Sequence, residues 1–437
     1  MADASAKQRR GAAVLLAVFF ASGISALLYQ IVWLKYLGLI FGNTVYAAAT
    51  LIAVFLGGLG VGAFLFSRAL RAKPALLVYA GTEALIGLIG AFSPNGFELL
   101  NRAYVAAFPS IHHNPVMMTL VRGGLAAAFL LPPTVLMGGT LPLLVRWFTG
   151  EHEGSGTAIS ALYAVNTLGA TTGVALAGFV LIPRVGLLST IFAAVILNFT
   201  LAIIAALLAR QSASAPPRLP ETILGTSTLK PSLILIASAL MGLAAIADEV
   251  FWSRILVLHL GSSVYAYSLM LFSFLIGIGI GSAVIERYVA RIEIAKVLGA
   301  IELTLAAVLA LQVHLFAHFA DLLEAAVRPW IAIHVASPFP ALLSATLVAL
   351  FIPTALMGAA FPLTVRLYEI SATQSETRSV GNVYLANTIG SITGSLLAGF
   401  LLIRLLGSQN GLFLMACINL AVGTYFLREP ATNRVGA

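Results

Sequence analysis

The chain has 437 residues, of which 60% are apolar and only 9% charged, and its mean hydropathy is +1.01. No water-soluble domain of this size carries so little charge, so the composition calls for a bilayer as the main solvent. The net charge of +8 comes from Lys and Arg scattered singly between apolar runs, which excludes the basic face of a nucleic-acid binder and leaves these residues as topology signals.

A hydrocarbon core of about 30 Å takes roughly 20 apolar residues per helical crossing. Apolar runs of this length, with no alternation of polar and apolar residues, point to helices and exclude a transmembrane barrel. In chain order, the first run follows Lys7, Arg9 and Arg10 and continues past Tyr29, too long for a signal-peptide core, so it reads as an uncleaved helix. Breaks at charged or Pro/Gly-rich positions place spans at 12–34, 44–66, 76–96, 116–145, 157–182 and 189–209. A second set follows at 232–253, 263–285, 295–318, 340–365, 380–403 and 409–427. The fold class is therefore all-α membrane protein, with about 12 transmembrane helices. The domains are an N-terminal six-helix half, 1–210, a polar, Pro-rich cytoplasmic linker, 211–231, and a C-terminal six-helix half, 232–437. Cys417, the single cysteine, lies in the last run, which rules out an intramolecular disulfide or a cysteine metal cluster.

With the N-terminus assigned to the cytoplasm, the segments on that side hold 17 Lys and Arg and the opposite side holds six, with Arg122 inside a span. The positive-inside rule then puts both termini in the cytoplasm of a multi-pass inner-membrane protein.

Sliding the sequence against itself by 219 to 221 residues exposes an internal repeat. Trp33 falls on Trp252, Gly58, Gly60 and Gly62 on Gly277, Gly279 and Gly281, Glu83 on Glu302, and Pro133 and Pro142 on Pro353 and Pro362. Tyr163, Asn166, Gly169, Gly173 and Gly178 fall on Tyr384, Asn387, Gly390, Gly394 and Gly399, and Asn198 on Asn419. An even number of spans per repeat makes both halves enter from the same face, the parallel plan of major-facilitator-like carriers. The glycines read as close-packing positions and the prolines as bends.

Three segments carry a family likeness: Gly23, Ser25, Ala26, Tyr29, Gln30 and Trp33; LMGGTLPLL from Leu136; and YAVNTLGATTG from Tyr163. Together they resemble the membrane domain of bacterial spermidine synthase-like proteins, which fuse a facilitator-like carrier to an aminopropyltransferase. The resemblance implies a membrane domain without the soluble synthase, since only a short tail follows Phe426 and the family's catalytic residues have no positions here. Facilitator carriers usually place an Asp and then basic residues after a glycine between spans two and three. Here Gly62 leads to Ser67-Arg68 and Arg71, whereas Gly281 leads to Glu286-Arg287 and Arg291, so an acid stands in one half only.

Each ionisable group inside hydrocarbon costs at least ~2.5 kcal/mol on insertion scales, so each calls for a partner, an aqueous cavity or a role. At 1.5 Å per residue, Glu83, Glu302, Asn166 and Asn387 form one polar layer roughly 10 Å deep. Gln30, Glu249, Arg122 and Asp248 form a second layer nearer the outer face. The functional reading makes Glu83, Glu302, Asn166, Asn387, Gln30 and Glu249 candidate substrate-binding residues, with Arg122, Asp248 and Glu249 a gating or interhelical pair between opposite charges in the two halves. The competing reading is structural: Glu83 and Glu302 protonated, or hydrogen-bonded to Asn and Thr of neighbouring helices as interhelical glue, and the charge pair a static brace. Trp33 and Trp252 are expected as interfacial anchors. His314 and His318, at i, i+4 and followed by Asp321, have metal-ligand spacing but no third fixed ligand, so a polar helix end is expected, with no metal and no cofactor.

These features leave three functions open: a facilitator-like transporter of a small metabolite, for which a cationic, polyamine-like one suits the buried acids; a non-catalytic platform for a separately encoded soluble synthase-like protein; and a structural subunit of a membrane complex. With no nucleophile, base or cofactor motif in either half, no catalytic residue is assigned and an intrinsic enzyme is least favoured.

Overall fold

The computed structural model describes residues 2–42, 44–69, 74–151, 155–210, 229–261, 264–318, 321, 324–325, 328–329, 339–372 and 376–428. Most of the expected linker lies outside these residues. Six helices make up the first half: α1 Ala2–Phe41, α2 Thr44–Ala69, α3 Ala75–Ile111, α4 Pro115–Glu151, α5 Ser155–Ala175 and α6 Ile182–Ala209. The second half has α7 Pro231–Leu260, α8 Val264–Glu286, α9 Ile294–Ala317, α10 Phe339–Ala372, α11 Glu376–Leu396 and α12 Gly407–Arg428.

Among the described residues 11 helical runs are long and apolar enough to cross a membrane, and one of them, Ala164–Ala209, is 46 residues long. A run of that length holds two crossings, since one takes about 20 residues. Gly186, at φ 80° and ψ 177°, breaks it, because only glycine adopts that backbone without steric cost. Twelve crossings result. Gly407 likewise has a positive φ, 75°, at the repeat-related position that opens α12, and Gly42 and Gly261 form a second such pair, closing α1 and α7.

The chain divides into two compact units, Met1–Pro220 and Glu221–Ala437. In the first, the main helix pairs are α1 with α5, α2 with α4, and α3 with α6; in the second they are α7 with α11, α8 with α10, and α9 with α12. Small residues set these seams. A Cβ added to Gly169 or Gly173 of α5 would come within 3.0 Å of the α1 backbone at Phe20 and Ile24, and one on Gly390 or Gly394 would do the same to α7 at Ala239 and Leu243. Gly58 and Gly277 likewise seat against the hydroxyls of Thr134 and Thr354. In lipid there is no hydrophobic drive between helices, so van der Waals contact at such seams supplies much of the association. Each unit also has its own apolar core on repeat-related positions, Leu15, Tyr79, Leu143 and Leu162 in one and Ile234, Leu298, Leu363 and Val383 in the other.

Pro132, Pro133 and Pro142 lie within α4, and Pro353 and Pro362 within α10. A proline leaves a carbonyl without its amide partner. Hydroxyls stand in the same region: Thr134 donates to the Leu130 and Leu131 carbonyls at 2.8 and 3.1 Å, and Thr354 to Leu350 and Phe351 at 2.7 and 3.1 Å.

Two expectations need correction. The third span does not stop near 96: α3 runs to Ile111 with Pro94 and Pro109 inside it, because Phe97, Leu100 and Tyr104 continue its buried face while Arg102 pairs with Glu98 on the exposed side. Nor are Trp33 and Trp252 interfacial anchors. Both are 0% exposed, since they sit on the inward stripes of α1 and α7, where packing against neighbouring helices outweighs contact with headgroups.

Candidate functional site

The polar interior of the first half is built on α1, α3 and α6. Glu83 is fully buried; its Oε1 accepts from the Ser22 hydroxyl at 2.7 Å and its Oε2 from the Asn198 amide at 2.6 Å. One acid thus joins three helices, and both oxygens have donors. Asn166 does not share this bond network. It lies at the same level of α1, one residue away, where a Cβ on Gly23 would come 3.0 Å from its Oδ1. Consecutive helical residues point about 100° apart, so Glu83 and Asn166 meet α1 at one level but approach it from different sides.

The second half repeats the positions without repeating the bonds. Met241 stands where Ser22 stands in the first half, and its sulfur accepts from Thr364 at 3.9 Å. Glu302 is buried with Oε2 lacking a hydrogen-bond partner, and the amide of Asn419, the counterpart of Asn198, lacks one too. Asn387 donates to the Ser238 carbonyl at 3.2 Å, and Ser238 in turn donates to the Val383 carbonyl at 3.1 Å, which ties α11 to α7.

Farther along α1, Tyr29 stacks on Trp33 with ring centroids 5.1 Å apart, and its hydroxyl packs on Gly90 of α3. Gln30 is buried beside them. In the second half Asp248 replaces Tyr29, Glu249 replaces Gln30 and Leu309 replaces Gly90, exchanging a large residue over a small one for a small residue beside a large one. Trp252 keeps its place and donates from Nε1 to Gln312 Oε1 at 3.2 Å, while Gln312 donates to the Ala349 carbonyl at 2.5 Å. Ser93, the counterpart of Gln312, has an unpartnered hydroxyl. Asp248 is 0% exposed and, among the described residues, neither of its carboxyl oxygens has a hydrogen-bond partner; Glu249 is 3% exposed.

Arg122 finds its partner within its own half. Nε and Nη2 donate to the Tyr104 hydroxyl at 3.0 and 2.6 Å, and its guanidinium carbon lies 5.9 Å from the Phe41 ring centre. The interaction satisfies the cation by a phenol and aromatic faces. His314 and His318 do sit together, ring centroids 5.0 Å apart, with His318 Nδ1 3.7 Å from Asp321. Among the described residues no group of three His, Cys, Asp or Glu is placed to hold a metal ion.

No protein-family model and no curated protein sequence matches the chain. Solved structures do. A bacterial homologue of the human lysosomal transporter Spinster, in an inward-facing and unoccupied conformation, aligns over 96% of this chain and 96% of its own at TM-score 0.52 and 12% identity. The Escherichia coli fucose:proton symporter FucP aligns over 95% of this chain and 97% of its own at TM-score 0.52 and 14% identity. The fold is major-facilitator-like. At such identities the likeness concerns the path of the backbone and transfers no substrate residue.

The sequence reading expected an Asn of a neighbouring helix as a partner of Glu83 without singling out Asn198, and it missed Ser22 as the other partner and Gln312 as the partner of Trp252. A signal for one of them was present: Asn198 and Asn419 are conserved between the repeats just as Glu83 and Glu302 are, and a duplicated acid with a duplicated amide is a pairing to look for.

Proposed function

We propose that the protein is a multi-pass inner-membrane carrier of the facilitator type, with both termini cytoplasmic, that moves a small cationic, polyamine-like metabolite. One observation carries the reading. Asp248, Glu249 and Glu302 are buried in the second half, and among the described residues none is ion-paired. Three acids without a basic partner are costly in a bundle that only has to hold its shape, and they suit one that receives positive charge. Whole-length correspondence with the backbones of two transporters supports the same reading. In it, Glu249, Glu302, Asn387, Gln30 and Asn166 are the candidate substrate contacts. Glu83, with both oxygens engaged, has the structural role.

The test is uptake of labelled putrescine and spermidine by proteoliposomes. Wild-type protein should accumulate at least one, and Glu249→Gln should reduce uptake about tenfold while eluting as folded protein. Reporter fusions at both ends should report the cytoplasm, as the excess of Lys and Arg on that side favours.

The likeness of the Gly23–Trp33, Leu136–Leu144 and Tyr163–Gly173 segments to spermidine synthase-like membrane domains supports a second reading, a platform for a separately encoded aminopropyltransferase-like enzyme. Absence of uptake, together with co-purification of such an enzyme, would favour it over the carrier.

A further inference from the structure

The two repeats treat their buried acids differently, and the difference separates an acid that holds helices together from one placed to exchange a proton. Glu83 has a donor on each oxygen, from α1 and from α6. Among the described residues Asp248 has none on either oxygen, and it has no accessible surface. An ionised carboxylate so enclosed loses its hydration and gains no hydrogen bond in return, so the site needs a positive species to balance it. A metal cation of the alkali or alkaline-earth type takes several oxygen ligands. Its own helix offers Asp248 no such set, with Ala247 beside it and Ala244 a turn away, and the counterpart of the glycine that faces Tyr29 is the apolar Leu309. A proton needs only the carboxyl itself.

We propose that Asp248 is a proton-binding site of the second half, which takes one proton from water to become the neutral acid and returns it to water when the surrounding helices open. The purpose of such a site, coupling a substrate's movement to that of a proton, rests on the carrier reading; the binding of the proton does not.

The other titratable groups near α7 leave this role to Asp248. Glu249 is next in the chain but turned about 100° away. On α9, Glu302 is level with Met241 by the repeat, seven residues and therefore roughly 10 Å along α7 from Asp248. α7 itself also carries Arg254 and His259, six and eleven residues farther on, and the helices packed on it carry Tyr265, Tyr267 and Glu286 on α8, Arg366, Tyr368 and Glu369 on α10, Tyr384 on α11, and Cys417, Tyr425 and Arg428 on α12. Arg366 is held by Glu369 at 2.6 Å, and none of these groups bonds to Asp248. Among the described residues no basic side chain of the second half is bonded to Asp248 in the proton's place.

The experiment is an infrared titration of purified protein in lipid, following the carbonyl stretch of protonated carboxyl groups from acid to alkaline pH in choline buffer and again in sodium buffer. Wild type should show a carboxyl band that disappears on raising pH and returns on lowering it. Asp248→Asn, nearly isosteric, should remove that band, whereas Glu83→Gln, Glu249→Gln and Glu302→Gln should leave it. A band that Asp248→Asn removes but that never titrates would mean a permanently neutral acid and overturn the proposal. So would a band abolished by sodium at constant pH, which would make the site a cation site, or a titrating band that survives in Asp248→Asn. No substrate enters the assay, so a protein that fails to transport polyamines can still pass or fail it.

Discussion

Asn198 on α6 donates its side-chain amide to Glu83 on α3 at 2.6 Å, while its repeat counterpart Asn419 has an amide with no acceptor. The two asparagines occupy equivalent places and do different work. Asn198→Ala should leave one Glu83 oxygen without a donor and lower stability by about 1 kcal/mol, the usual scale for a polar contact between membrane helices. Asn419→Ala should cost clearly less. Thermal unfolding of the two variants side by side in one detergent checks the asymmetry, and equal losses would contradict it.

A second asymmetry concerns the tryptophans. Gln312 accepts from Trp252 and donates to the Ala349 carbonyl, joining α7, α9 and α10, whereas Ser93 has no bond to offer Trp33. Gln312→Ala should therefore lower the unfolding temperature more than Ser93→Ala, by the equivalent of about 1–3 kcal/mol for the two groups left unpaired. A Ser93→Ala loss as large as that of Gln312→Ala would show that the link is not what holds this level of the bundle.

Glycines provide an internal control for the seams. Gly390 on α11 has no room for a side chain against the α7 backbone at Ala239, but Gly81 on α3 has open space where its Cβ would be. Gly390→Ala should cut the yield of folded protein severely, since the α7 and α11 backbones must part to admit a methyl. Gly81→Ala should be neutral or stabilising by up to about 1 kcal/mol, the helix-propensity difference. Yield and melting temperature, measured for both, test this; a harmless Gly390→Ala would mean that the seam is looser than its geometry.

The twelve crossings and the duplication were legible because both are written in long-period patterns: apolar runs of bilayer length, and residues such as Trp33, Gly58, Glu83 and Asn166 that recur about 220 positions later. The shared level of Glu83 and Asn166 within the first half was legible too, since rise per residue is fixed: the two meet α1 at the adjacent residues Ser22 and Gly23. The side each approaches from was not, because it depends on how helices rotate about their axes, and that is set by seams such as Gly173 against Ile24. The aromatic assignment failed for a related reason. Depth near a membrane boundary suits an anchor, but only rotation decides whether Trp33 faces headgroups or, as it does, Tyr29 and the interior.

The apolar pattern of the sequence hides a further repeated feature. Each half has a six-residue π-helical turn, Leu176–Leu181 after α5 and Leu397–Leu402 after α11, in nearly identical sequence, LAGFVL and LAGFLL. A π-turn holds one residue more than the α-helix around it needs, so removing one residue there can restore regular winding. Upstream, Gly169 and Gly173 bind α5 to α1; downstream, Gly186 already breaks the helix. Deleting Val180 should therefore rotate only the short stretch between the turn and Gly186, and the protein should still fold with a modest fall in melting temperature. Deleting Thr171 should swing Gly173 about 100° off the α1 seam and abolish folding. If the π-turn serves motion rather than assembly, the Val180 deletion should also lose uptake while remaining folded. Equal damage to folding from both deletions would show instead that the turn is part of the packed frame.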